Sequence, residues 1–292
     1  MKKVKVHLAL LSAGLIYGAN YTIAKEAMPH YIQPFGFILI RVVCAALLFT
    51  TIHFLIIKEK VARKDMVRLF FCGIFGVALN QLMFFKGLNL TTPINASLMM
   101  ITAPITVLIL SAILKTEKLT LIKSIGITLG ASGAFLIIFW EKEIAFTSIT
   151  AMGDIFVLVN ASSYAAYLVL VKPLMSRYHP ITVIKWIFLF GSIFVVPVGF
   201  EEFGQIQWSS LPISIWLVIG YVVLFTTFFA YLLNILALSK VPPSVVGIYI
   251  YLQPVIASAI ALAFDKDHLT VIKIIGASLI FSGVYLVGRK LS

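Results

Sequence analysis

Residues 119–137 read LTLIKSIGITLGASGAFLI, and residues 269–287 read LTVIKIIGASLIFSGVYLV. At an offset of 150, ten of the nineteen positions are identical. The likeness extends upstream. Residues 88–114, LNLTTPINASLMMITAPITVLILSAIL, align at the same offset with residues 238–264, LSKVPPSVVGIYIYLQPVIASAIALAF, pairing Pro93 with Pro243 and Pro104 with Pro254. Further back, YGANYTIAK ends at Lys25 and YAAYLVLVK ends at Lys172, an offset of 147, so a small insertion separates them. The chain writes one module twice.

The 292 residues are 61% hydrophobic and 12% charged, with a mean hydropathy of +1.06. A soluble domain carries about 45–50% apolar and about 25% charged residues, so a chain of this composition belongs in a bilayer. The net charge of +12 would suggest nucleic acid in a soluble protein. Here the basic residues fall between apolar runs, which points to orientation in the membrane and to no nucleic-acid partner. Cys44 and Cys72 lie inside apolar runs without a CxxC or a His partner, and read as packing thiols rather than metal ligands or a disulfide. The basic N-terminus precedes an apolar run with no small-residue cleavage pattern, which reads as a first membrane helix.

A spanning helix needs about 20 mostly apolar residues. Ten segments qualify: Leu8–Met28, Pro34–Ile57, Val67–Leu88, Pro93–Leu114 and Leu121–Phe139 in the first half, then Met152–Val171, Thr182–Phe200, Pro212–Leu238, Pro243–Phe264 and Thr270–Gly288. Pro34, Pro93, Pro212 and Pro243 stand at helix starts, where the missing N–H costs nothing. With the N-terminus in the cytoplasm, 17 of the 23 lysines and arginines face inside and five face outside, with Arg41 within the second span. That bias predicts a multi-pass protein of the cell (inner) membrane with both termini cytoplasmic.

Each module, residues 1–140 and 141–292, then contains five crossings. An odd number forces the two copies to enter the membrane from opposite sides. The expected fold is all-α, with ten transmembrane helices as two inverted five-helix repeats in one compact domain, a recurring design of secondary transporters.

These residues resemble the EamA family of the drug/metabolite transporter superfamily. The resemblance covers nearly the whole chain. It rests on Tyr17-Gly18-x-Asn20, on Asn95-Ala96-Ser97 through Pro104, and on Glu117-x-Leu119 with Gly126 and Gly133; the second half supplies Tyr167, Pro254, Gly276 and Gly283. The family usually has Trp where this chain has Tyr17 and Gly-Glu where it has Thr116-Glu117, both mild departures. The resemblance implies a ten-helix transporter, often an exporter of metabolites, amino acids or drugs, and leaves the substrate open.

Polar side chains at membrane depth cost energy and mark candidate sites. Tyr17 and Asn20 share a face of the first span, and Asn80-Gln81 is an adjacent pair in the third. Asn160, Tyr164 and Tyr167 form a stripe in the sixth; Thr227, Tyr231 and Asn234 repeat it in the eighth. Tyr249 and Gln253 stand one turn apart in the ninth, just ahead of Pro254. Each could bond a neighbouring helix instead of a solute, but five stripes can converge on one cavity. Tyrosines offer an apolar face with a polar tip. Pro104 and Pro254, mid-span at equivalent positions, are either hinges or static bends.

Lys25, Arg41 and Lys86 fall toward the outer ends of their spans, where they either snorkel to headgroups or form a basic outer vestibule; Lys86 is a candidate binding residue on the second reading. Gly126, Gly130 and Gly133, echoed by Gly276 and Gly283, form a small-residue face for close helix packing, with dimerisation as the weaker reading, so monomer and homodimer both stay open. None of the eleven carboxylates lies in the middle third of a span, and the five histidines sit near ends or loops. Carboxylate-based proton coupling is therefore expected to be absent, with facilitated diffusion, exchange and tyrosine- or lysine-linked coupling open.

The expected function is secondary transport, as an exporter, of a small-molecule solute, with the lipid bilayer as the other partner, no cofactor and no metal. The chain holds no GxxxxGK[ST] for ATP hydrolysis and no HExxH, paired intramembrane aspartates or Ser/His couple for a membrane enzyme. The alternatives are a channel, disfavoured because channels commonly build pores from rings of subunits, and, behind it, a membrane-embedded enzyme.

Overall fold

The structure is a computed structural model that describes residues 3–141, 148–263 and 270–288. The loops carrying Lys142 and Lys266, Asp267, and the basic end at residues 289–290 lie outside the described residues. Those described form helices and no strand. In chain order the helices are α1 (Lys3–Ala27), α2 (Pro34–Ile52), α3 (Arg63–Gly73), α4 (Leu79–Leu90), α5 (Pro93–Met100), α6 (Thr102–Ile113) and α7 (Leu121–Glu141). Then follow α8 (Ser148–Val171), α9 (Pro180–Gly204), α10 (Ile213–Tyr221), α11 (Ala230–Leu238), α12 (Pro243–Ile248), α13 (Leu252–Ala263) and α14 (Val271–Gly288).

Among the described residues, seven helical stretches are long and apolar enough to cross a membrane, beginning at Val4, Pro34, Arg63, Asn95, Ile149, Pro180 and Ile213. Three shorter apolar helices, Leu121–Leu136, Pro243–Ile256 and Ile274–Gly288, stand where the remaining spans were expected. Several helices outrun their apolar windows: α3 begins at Arg63 rather than Val67, because its first turn is polar.

Two expected spans are broken. The fourth is interrupted at Ile101, between α5 and α6, and the ninth passes through a 3₁₀ turn at Tyr249–Tyr251, between α12 and α13. Each break lies within the turn preceding a proline, Pro104 or Pro254. Proline cannot donate to the carbonyl four residues back, and its ring clashes with it. Three further spans widen instead, the first of them past the end of α2, over His53–Ile57. A π-helical segment at Ile74–Ala78 precedes α4, and another at Val222–Phe229 precedes α11, again at matching places in the repeat. Such wide turns often mark functional sites.

The pairing of helices is reciprocal. α2 packs on α9 and α7 on α14, each against the helix at its own place in the other half. α4 packs on α8, and the counterpart pair α11 and α1 does the same. Glycine sets the α7–α14 distance. A methyl on Gly126 would lie 3.0 Å from the Gly283 carbonyl, and one on Gly133 would collide with the Gly276 carbonyl. Gly126 beside Gly283 and Gly133 beside Gly276 means that the two helices run antiparallel. The glycine face is thus occupied within the chain.

Charged residues at the helix ends hold the halves together. Glu202 on α9 accepts from the backbone N–H groups of Phe35 (2.6 Å) and Gly36 (2.9 Å), capping α2. Glu117 accepts from the Ser244 N–H (2.8 Å) and hydroxyl (2.6 Å), capping α12, and pairs with Lys123. A carboxylate at a helix N-terminus satisfies orphan donors and meets the positive end of the dipole. Two lysines do the converse, each within its own half. Lys25 donates to the Thr91 carbonyl at the end of α4 (2.8 Å), and Lys172 donates to Leu238 (2.6 Å) and Val241 (2.8 Å) at the end of α11.

Candidate functional site

The helices border a partly open cavity of about 90 Å³. A single water needs roughly 10–15 Å³ counted in this way, so there is room for several waters or a small organic solute. Its wall comes from both halves. α1 contributes Tyr17 and Asn20, α2 Arg41, and α4 Asn80, Gln81, Phe84 and Phe85. Met100, at the first helix break, closes that side. From the second half come Asn160 and Tyr164 of α8, Thr226 of the wide turn, Tyr231 of α11, Ile250 of the second break and Gln253 of α13.

Hydrogen bonds hold most of these groups in place. Gln81 Nε2 donates to the Tyr231 hydroxyl (3.0 Å), which donates onward to the Gly76 carbonyl (2.9 Å) in the wide turn. Asn160 Nδ2 donates to the Asn80 carbonyl (2.7 Å), and Asn80 Nδ2 to the Asn160 carbonyl (3.4 Å). Thr226 donates to Asn20 Oδ1 (3.1 Å). Two acceptors, Gln81 Oε1 and Asn160 Oδ1, are buried without a partner. An unsatisfied buried acceptor costs about 1–3 kcal/mol.

Eight of the residues singled out by sequence therefore meet around one cavity: Tyr17, Asn20, Asn80, Gln81, Asn160, Tyr164, Tyr231 and Gln253. Four do not line it. The Tyr167 ring lies flat against Gly76, so closely that a methyl there would sit 2.6 Å from it. Tyr249 points away and pairs its hydroxyl with His7 Nδ1. Asn234 stands behind Tyr17, donating to its hydroxyl at 3.4 Å. Lys86 carries its ammonium over the Phe35 ring, 5.3 Å from the centroid.

The basic vestibule does not form. Lys25 is bound to Thr91, Lys86 lies over Phe35, and Arg41 turns inward, 3% exposed, with its guanidinium 4.5 Å above the Phe85 ring. Arg41 is the lining residue that sequence placed wrongly. Phe84, Phe85, Met100 and Ile250 were missed because nothing distinguishes an apolar cavity wall from apolar core by residue type. Thr226 was missed by one position, since the wide turn shifts the helical phase.

Among the described residues no group of three or more His, Cys, Asp or Glu side chains could hold a metal. Cys72 is buried and Cys44 half-buried, both free.

The EamA-like transporter family pattern matches residues 4–139 and again residues 151–289. The chain belongs to the EamA-like transporter family. The family and the names of its relatives are those of membrane transporters, and the apolar helices are those of a multi-pass membrane protein. Relatives named only as transporters align along nearly the whole EamA chain. One from Archaeoglobus fulgidus is 28% identical, covering 98% of this chain and 100% of its own; Bacillus subtilis YyaM is 26% identical, covering 97% and 93%. The Arabidopsis thaliana protein WALLS ARE THIN 1 is 23% identical over 98% of this chain and 83% of its own. A crystal structure at 15% identity superposes with a TM-score of 0.78 over 98% of both chains, which shows the fold.

Proposed function

We propose that this protein is a secondary transporter that exports a small organic solute across the cell membrane by alternating access. The carrying observation is that the central cavity is walled by both halves and sits where repeat-equivalent residues meet. Gln81 and Tyr231, which bond one another there, are 150 positions apart, the offset of the sequence repeat. Residues 1–140 and 141–292 act as the two modules, ten crossings in all, inverted with respect to one another. Supporting this are the double family match, the antiparallel α7–α14 pair and the reciprocal packing of α4–α8 and α11–α1. The lysine and arginine bias supports both termini in the cytoplasm. The unit is a monomer or a homodimer without a cofactor. Tyr17, Asn20, Asn80, Gln81, Asn160, Tyr164, Tyr231 and Gln253 bind the solute; Pro104 and Pro254 are the hinges.

Rocking of one module against the other opens the cavity to each side in turn. The broken helices at Ile101 and Tyr249–Tyr251 are where bending needs least hydrogen-bond rupture, because proline has already removed one bond from each.

The test is counterflow. Purified protein in proteoliposomes is loaded with a solute that raises its thermal stability, a shift that reports binding by mass action. Trans-stimulated uptake of labelled solute against its gradient is expected. Flux that ignores solute on the far side would instead make the protein a channel.

A further inference from the structure

We infer that the cavity takes an organic monocarboxylate, anchored by the guanidinium of Arg41. This deepens the transport reading and rests on it for what becomes of the bound solute.

The argument starts from an unpaired charge. Arginine stays protonated and carries five N–H donors in a planar fork. Arg41 uses one of them, Nε, on the Thr227 hydroxyl at 2.9 Å; that hydroxyl in turn donates to the Val222 carbonyl. Nη1 and Nη2 have no hydrogen-bond partner among the described residues. The ion pairs found there, Lys123–Glu117 and Arg177–Asp65, lie elsewhere. Phe85 gives the cation a π face, which is worth less than a counter-ion. A buried charge without its counter-ion is costly, and this one lines a cavity. A carboxylate entering the cavity satisfies the free edge of the fork with two parallel, charge-assisted bonds.

The same inventory limits the anion to one charge. Lys25 is held by Thr91 and Lys86 by Phe35, so neither lines the cavity. A dianion such as a phosphate monoester would keep a net negative charge in a low-dielectric site. The rest of the lining describes the body of the solute. Tyr17, Tyr164 and Phe84 offer rings to an apolar portion.

The experiment compares acids with their own amides, which match them in shape and lack the charge. Purified protein in nanodiscs is titrated with acetate, butyrate, benzoate and 3-phenylpropionate, each beside its primary amide, and with phenyl phosphate. At least one acid is expected to bind about tenfold or more tightly than its amide and than phenyl phosphate. Arg41→Gln should bring that ratio to near one, and Arg41→Lys should keep part of it. No acid exceeding its amide would overturn the proposal, as would a ratio surviving in Arg41→Gln or phenyl phosphate binding as tightly as the best acid. If Arg41→Gln does not fold, Arg41→Lys decides, an unchanged ratio counting against. Because each ratio is taken within one protein, loss of yield cannot imitate the result. An acid that binds through Arg41 yet shows no counterflow would remove the transport reading and leave the site. Arg41-independent counterflow of a neutral solute would do the reverse.

Discussion

α2 and α9 are twin helices that differ at one telling position. Each starts with proline at its first turn, Pro34 and Pro180, and each packs on the other. Seven residues on, α2 carries Arg41 and α9 carries Ile187. Both side chains are buried, at 3% and 0% exposure, but only Arg41 lines the cavity. The duplication keeps what packing needs, such as proline starts, paired breaks and glycine seams. It departs from symmetry where a solute would be recognised. Packing is a property shared by the two halves, whereas one solute of one orientation needs one charge on one side.

Exchanging the twins should break the comparison most severely. Ile187→Arg places a charge where no cavity receives it, and should cost about 3–5 kcal/mol, enough to abolish folded protein on size-exclusion chromatography in detergent. Arg41→Ile removes an unpaired charge and should leave thermal stability unchanged or raised. If the two variants lose equal stability, position rather than cavity exposure governs both.

The glycine seam comes next. Gly283→Leu forces α14 off the Gly126 carbonyl and should cost about 1–3 kcal/mol, read as a lowered unfolding midpoint. The same change at Gly220, where an added carbon meets nothing within 4 Å, should be nearly silent.

Pro104→Ala and Pro254→Ala test whether the breaks are twins in function as in place. Each should slow counterflow several-fold with solute affinity unchanged, and by similar factors. Slowing in one alone would make the other a static bend.

The smallest effects belong to the capping lysines. Lys25→Met and Lys172→Met each remove a cation from a helix C-terminus, worth about 1 kcal/mol or less. Both should lower the midpoint slightly and leave any preference of acid over amide intact, since neither side chain lines the cavity.

Much of this was legible in the chain. The offset of 150 announced that α7 and α14 are counterparts with matching glycine faces, and prolines announced the two breaks. Asn80, Gln81 and Asn160 were visible because amides are conspicuous among apolar neighbours. What sequence could not supply was direction within a helix. Tyr164 and Tyr167 are one turn apart and read as one stripe, but Gly76 draws Tyr167 aside into packing. Arg41, only seven residues into its span, read as a side chain rising to the headgroups; its inward turn depends on Thr227, 186 positions away. Long-range partners of that kind leave no mark in local periodicity.

The hydroxyl of Tyr251 donates to the Ile101 carbonyl at 3.1 Å, joining the two interrupted helices at their interruptions. Positions 101 and 251 are counterparts under the repeat, so this bond links a place in the chain to its own image. A seesaw keeps its fulcrum whichever end is down. Under the proposed rocking, a short cross-link at this pair should therefore permit turnover, whereas cross-links between flanking helices should arrest it in one posture.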